Sequence, residues 1–179
     1  MTQITILSLL TAFGTALYLI YTILLVIKYG PPNGGLCLLY YMTKKRGRSK
    51  IYCTLMSIIP LFVVPSYLYI SLSMFHSLAL AVISMIALLC ASLMFAFPNY
   101  RDSRTHNVLA IISRLLFLVW AIMTHNPVII SIPIFSILTV LTVKELRKKR
   151  HVSLKLNFLA DVICYLSFML TPLVIFFCV

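Results

Sequence analysis

Residues Lys28–Lys50 read "KYGPPNGGLCLLYYMTKKRGRSK". The 27 residues before them carry no charged side chain. The stretch then breaks on Gly30, Pro31 and Pro32, touches apolar ground again at "LCLLYYM", and ends in a run of bases. Proline removes a backbone donor and glycine relaxes the backbone, so a helix ends here. An apolar helix that stops so abruptly and is followed by positive charge is leaving a bilayer. The bases from Lys44 to Lys50 would then meet an anionic inner leaflet, where each is worth about 1 kcal/mol. The segment 36–42 is too short to cross. With Tyr40 and Tyr41 it reads as a helix lying among the headgroups, or as a re-entrant turn.

Composition extends this reading to the whole chain. Of 179 residues, 62% are hydrophobic and 10% charged, with a mean hydropathy of +1.07. Soluble domains are about 45–50% apolar and about 25% charged, so lipid is the expected solvent. Six stretches approach the length of a transmembrane helix, about 20 apolar residues. They are 4–27, 51–75, 78–97, 108–124, 128–143 and 156–179. The fifth is short, and Lys144 can snorkel to lengthen it. The first is too long for a cleaved signal segment and is expected to be retained.

The net charge is +12, and 14 of the 15 basic residues fall in the first, third and fifth connections. The positive-inside rule places those connections in the cytoplasm and both termini outside. The expectation is all-α: one polytopic membrane domain over 1–179, with six helices and basic loops at 28–50 and 144–155. Lys44, Lys45, Arg46, Arg48, Lys50, Arg147, Lys148, Lys149 and Arg150 are the candidate contacts to anionic lipid. The bases have the bilayer as partner, and no nucleic acid is expected.

Glycine is absent after Gly47. Ser77, Ala81, Ser84, Ala87 and Ala91 form one helical stripe, and small residues let backbones approach closely in lipid. Prolines interrupt three helices: Pro60 and Pro65, Pro133, and Pro172. Broken helices in oppositely oriented halves occur in transporters. Simple kinking also accommodates them, because neighbours re-satisfy the freed carbonyls.

Two charges fall inside the spans, Arg114 and Asp161. At about 1.5 Å per residue both lie roughly 8–10 Å from the same face. An isolated charge there costs about 2.5–3.5 kcal/mol, so the two are expected to pair. Such a pair is either a gate, relay or headgroup site, or a bridge that fixes helix register.

Arg101, Asp102 and His106 make a polar cluster in the third connection. Asp102 and His106 have metal or acid–base spacing, but the reading favoured is a solvated loop. His76 and His125 lie on one side and His106 and His151 on the other, so they cannot share a metal. Five scattered cysteines, Cys37, Cys53, Cys90, Cys164 and Cys178, read as small buried hydrophobes. Phosphate-loop, dinucleotide-binding, zinc-hydrolase and nucleophile-elbow motifs are missing from the sequence. No cofactor and no metal are expected, and an enzyme is the less favoured class.

"KYGPPNGGLCLLYYM" and "LLCASLMFAFPNYRDSRTHNVLAIISRLLFLVWAI" together resemble small polytopic membrane proteins of unknown function from gut bacteria and their phages. The serine usual after the Gly/Pro break is replaced by Asn33-Gly34-Gly35. The resemblance implies a bacterial cytoplasmic membrane and transfers no site residue. Function is therefore read first as a small channel or transporter, with a homo-oligomer among the assemblies considered. Second comes a non-catalytic accessory or scaffold subunit of a membrane complex. A lipid-modifying enzyme is third. A transporter should have a polar path past Thr11, Thr15 and Ser57. A scaffold should have such groups sealed against each other.

Overall fold

The computed structural model describes residues 2–32, 39–44, 47–96, 104–148 and 154–178. All regular structure among them is helical. The helices are α1 (Gln3–Tyr29), α2 (Leu39–Lys44), α3 (Ser49–Ile58), α4 (Val64–Tyr69), α5 (Leu78–Ala96), α6 (Arg104–Met123), α7 (Pro127–Lys148) and α8 (Leu154–Cys178). A 3₁₀ stretch at Ile59–Val63 and a π stretch at Ile70–Met74 join α3 and α4 into one rod from Ser49 to Met74. Five helices are long and apolar enough to cross a membrane: α1, this rod, α5, α6 and α8. The apolar part of α7, Pro127–Thr142, is shorter.

Local chemistry fixes the helix ends. Thr2 caps α1 by accepting from the Thr5 amide at 3.4 Å. At the other end Gly30 adopts φ +79° and its amide donates to the Val26 carbonyl at 2.8 Å. Only glycine takes that backbone without strain, which is why the helix stops there. Asn126 caps α7, accepting from the Val128 amide at 2.9 Å, with Pro127 as the first helical residue. Proline suits that position because its missing donor would have no helical partner anyway.

The hydrophobic pattern of α1 is the reverse of a soluble helix. Thr11, Gly14, Thr15, Tyr18, Thr22 and Leu25 face inward, while Ile6, Leu9, Phe13, Ile20, Ile23, Leu24 and Ile27 are exposed. Water would not tolerate that outer face, and hydrocarbon does. Inside, Thr11 and Ser66 share a hydrogen bond of 2.7 Å, and Ser66 Oγ donates to the Leu7 carbonyl at 3.2 Å. Tyr21 lies 6.4 Å from Tyr52 further along α1, so α1 and the rod run antiparallel.

Gly14 lets the two approach. A methyl group at Gly14 would lie 2.6 Å from Phe62 Cβ, on the 3₁₀ stretch. Gly14→Ala should therefore destabilise the bundle by about 1–3 kcal/mol, the usual range for overpacking. Alanine's better helix propensity offsets this by about 1 kcal/mol at most. Thermal unfolding in detergent followed by circular dichroism reads the loss.

The prolines are handled in two ways. In the rod they change the winding: the Leu61 carbonyl, four residues before Pro65, accepts from the Val64 amide in 3₁₀ fashion. Pro133 and Pro172 instead sit inside continuous helices. The rod and α7 are therefore not broken alike, and the two halves share no common interruption. Pro172 frees the carbonyl of Phe168, and the Tyr67 hydroxyl donates to it at 2.8 Å from across the bundle. Tyr67→Phe keeps the ring but orphans that carbonyl, and a loss of about 1–3 kcal/mol is expected. Tyr67→Phe paired with Pro172→Ala should lose less than Tyr67→Phe alone, because alanine restores the helix's own donor. Unfolding of the four proteins in one detergent gives the coupling directly.

The core centres on aromatic rings. Tyr67, Phe117, Trp120 and Phe168 meet with centroid separations from 4.2 Å (Phe117–Phe168) to 6.2 Å (Phe117–Trp120). Trp120 and Tyr67 are essentially inaccessible. The small-residue stripe lies against this core. Ala81, Ser84, Ala87 and Ala91 are buried and Ser77 is half-buried. The face of α5 that they build lets α6 and the rod pack closely.

A candidate intramembrane charge site

Arg114 lies on α6 and Asp161 on α8. Long side chains link the two helices, with the Phe117 and Phe168 rings 4.2 Å apart. They also share α5 as a neighbour: the Tyr165 hydroxyl donates to the Ala91 carbonyl at 3.2 Å. Ala91 belongs to the small-residue stripe, which lets neighbouring helices approach closely. On this frame Arg114 Nη2 donates to Asp161 Oδ1 at 3.2 Å. The side chains are 33% and 23% exposed, so the pair sits at the rim of the bundle and not in its core.

A cavity of about 30 Å³ opens beside the pair, lined by Ser113, Arg114, Cys164, Tyr165 and Phe168 among others. That is room for about one water molecule. Ser113 is buried, and Cys164 is buried with a free thiol.

His106 is not where a solvated loop would put it. α6 begins at Arg104, four residues before the apolar stretch read from sequence, and His106 is buried in its first turns. Its Nδ1 donates to the Met94 carbonyl at 2.9 Å. Met94 is among the last residues of α5, whose carbonyls lie beyond the helix's own ladder. The histidine thus ties the start of α6 to the end of α5. Arg101 and Asp102 lie outside the described residues, so their relation to His106 does too. Among the described residues, no three His, Cys, Asp or Glu side chains come together.

Of the candidate lipid contacts, Lys44, Arg48 and Lys50 are exposed. Lys45, Arg46, Lys149 and Arg150 lie outside the described residues, and Arg147 and Lys148 close α7. The segment read as interfacial or re-entrant is described from Leu39. There α2 packs on α3, with Leu39 and Thr43 buried and Tyr40 and Tyr41 half-exposed. Lys44 Nζ lies 5.8 Å from the Tyr40 ring centroid.

Among the polar contacts not anticipated from sequence, two reach the aromatic core. One is Tyr67 to the Phe168 carbonyl; the other is Trp120 Nε1 donating to Ser71 Oγ at 3.0 Å. Pro172 signalled a freed carbonyl, but nothing in the sequence named the hydroxyl that fills it.

No protein-family model, curated protein or solved structure matches the chain.

Proposed function

We propose that this chain is a non-catalytic accessory or scaffold protein of a bacterial cytoplasmic membrane. It spans the bilayer six times, with its bases on the cytoplasmic side and both termini outside. The observation that carries the reading is the Thr11–Ser66 hydrogen bond. Both residues are fully buried, and Thr15 Oγ1 donates to the Thr11 carbonyl at 2.8 Å. Two of the hydroxyls that would line a polar path, Thr11 and Thr15, are turned onto Ser66 and onto backbone. The aromatic core fills the space beyond them. A bundle filled in this way works through its surface.

Support for the orientation comes from the charge pattern and from geometry. The turns at 75–77 and 124–126 lie on one face and carry no Lys, Arg, Asp or Glu. Lys28, Lys44, Arg48, Lys50 and Arg104 lie toward the other.

A small channel or transporter is the second reading, and one observation favours it. The hydroxyls of Thr22, Ser57 and Ser92 are buried without a hydrogen-bond partner among the described residues. Buried hydroxyls left unsatisfied are uncommon and mark places where water or an ion sits.

Native mass spectrometry and flux assays on reconstituted vesicles separate the two. The accessory reading expects vesicles no leakier than empty ones, and a monomer or a defined complex with an unrelated subunit. A discrete homo-oligomer with a flux abolished by Arg114→Gln would overturn it in favour of a pore.

A further inference from the structure

The Arg114–Asp161 pair is partly exposed, unlike the hydroxyl contact that joins α1 to the rod. Thr11 and Ser66 have no accessible surface, whereas a third of the Arg114 side chain and nearly a quarter of Asp161 remain open. Around them the surface is lipid-facing: Ile111 is 56% exposed, Leu115 54% and Leu159 49%. A bridge serving register alone would gain from being turned inward, where competing partners cannot reach it.

Direction matters as well. α6 and α8 both begin on the basic face, and side chains on an α-helix lean toward its N-terminus. Both charged groups therefore lean toward the headgroups of the basic-side leaflet, as long polar side chains do near a bilayer boundary. The water-sized cavity beside Arg114 is too small to admit a headgroup. Any ligand sits on the rim, in contact with both charges.

We propose that this pair seats the headgroup of a zwitterionic phospholipid, with the phosphate on Arg114 and a primary ammonium on Asp161. Guanidinium is the side chain best matched to phosphate, through its fork of donors. A carboxylate beside it would repel a purely anionic headgroup and attract one that also carries a cation. A primary ammonium donates hydrogen bonds to carboxylate, whereas a quaternary ammonium has no N–H to give. The site therefore selects phosphoethanolamine over both phosphoglycerol and phosphocholine headgroups. It is separate from the exposed lysines of the basic face, which attract anionic lipid without regard to headgroup shape. It also stands apart from the accessory reading, which flux and subunit composition decide.

The test is native mass spectrometry of protein released from vesicles equimolar in phosphatidylethanolamine, phosphatidylcholine and phosphatidylglycerol. The wild type should retain phosphatidylethanolamine over phosphatidylcholine by about tenfold, the scale of one charge-assisted hydrogen bond. Asp161→Asn should abolish that ratio. Arg114→Gln should lower retention of both lipids. Lys44→Ala with Lys50→Ala should reduce phosphatidylglycerol alone. If Asp161→Asn does not fold, the wild type is offered ethanolamine headgroups with one, two and three N-methyl groups, and retention should fall as N–H donors are removed. A wild type indifferent to methylation, or a ratio unchanged in Asp161→Asn, overturns the proposal.

Discussion

Asp161→Arg is expected to destabilise the bundle by about 3 kcal/mol or more, and adding Arg114→Asp to the same chain should recover much of that loss. The reasoning starts from the 3.2 Å contact between the two side chains. Removing one partner costs the other charge this contact within a membrane span, where an isolated charge costs about 2.5–3.5 kcal/mol. Reversal adds repulsion between two guanidinium groups. Exchanging the two charges restores a pair in the same place, with imperfect geometry because the side chains differ in length. A third variant separates stability from use. Replacing both residues by apolar ones of similar size, Arg114→Met with Asp161→Leu, should leave stability near that of the wild type, since a well-packed apolar pair often matches an ion pair. Unfolding in a single detergent reads all three. A double reversal no more stable than Asp161→Arg alone would mean that the contact is not what places these residues.

Trp120→Ala is expected to lose about 3–5 kcal/mol, the range for deleting a large buried aromatic. Trp120 has no accessible surface and packs 4.9 Å from Tyr67 and 6.2 Å from Phe117. Its indole N–H also holds Ser71, in the π stretch, at 3.0 Å. The Ser71 carbonyl accepts from the Ser77 amide at 2.9 Å and so closes the turn into α5. Trp120 thus joins the core to a change of helical winding. Trp120→Phe should cost less than alanine, about 1–3 kcal/mol, mostly by removing the donor to Ser71. Ser71→Ala should then add little on the Trp120→Phe background. As the chain's one tryptophan, Trp120 also reports the native core by fluorescence. Its emission should be blue-shifted in the folded protein and move to the red together with the loss of helix on unfolding. Emission that moves well before the helix signal would contradict a core organised around it.

What could be read from the sequence follows from what hydropathy detects. It located 4–27, 51–75 and 78–97 to within two residues, because the helices extend at most two residues beyond their apolar runs. It missed the start of α6, where Arg104, Thr105, His106 and Asn107 are polar yet helical. A buried histidine hydrogen-bonded to a backbone carbonyl looks, in a sequence, like a loop residue. The same blindness hid the 3₁₀ and π windings of the rod, since hydrogen-bond register leaves no compositional mark beyond the prolines. Arg114 and Asp161 were legible as partners because charges are rare in these spans and isolation is expensive. The aromatic core was not, because aromatic residues are spread through every apolar stretch and nothing in their spacing says which ones meet.

The two short turns bear on how such a chain is made. The rod joins α5 through Phe75–Ser77, and α6 joins α7 through Thr124–Asn126. In the proposed orientation, these turns are the only connections that cross the bilayer during synthesis. Neither carries Lys, Arg, Asp or Glu. Each helix pair can enter the membrane as a closed hairpin with a nearly uncharged tip, while the bases stay on the side where they were translated. Insertion of these hairpins then needs no energy source to drag Lys, Arg, Asp or Glu through lipid. The direction of the four spans in these hairpins is settled as each hairpin leaves the ribosome, before the core aromatic residues have met.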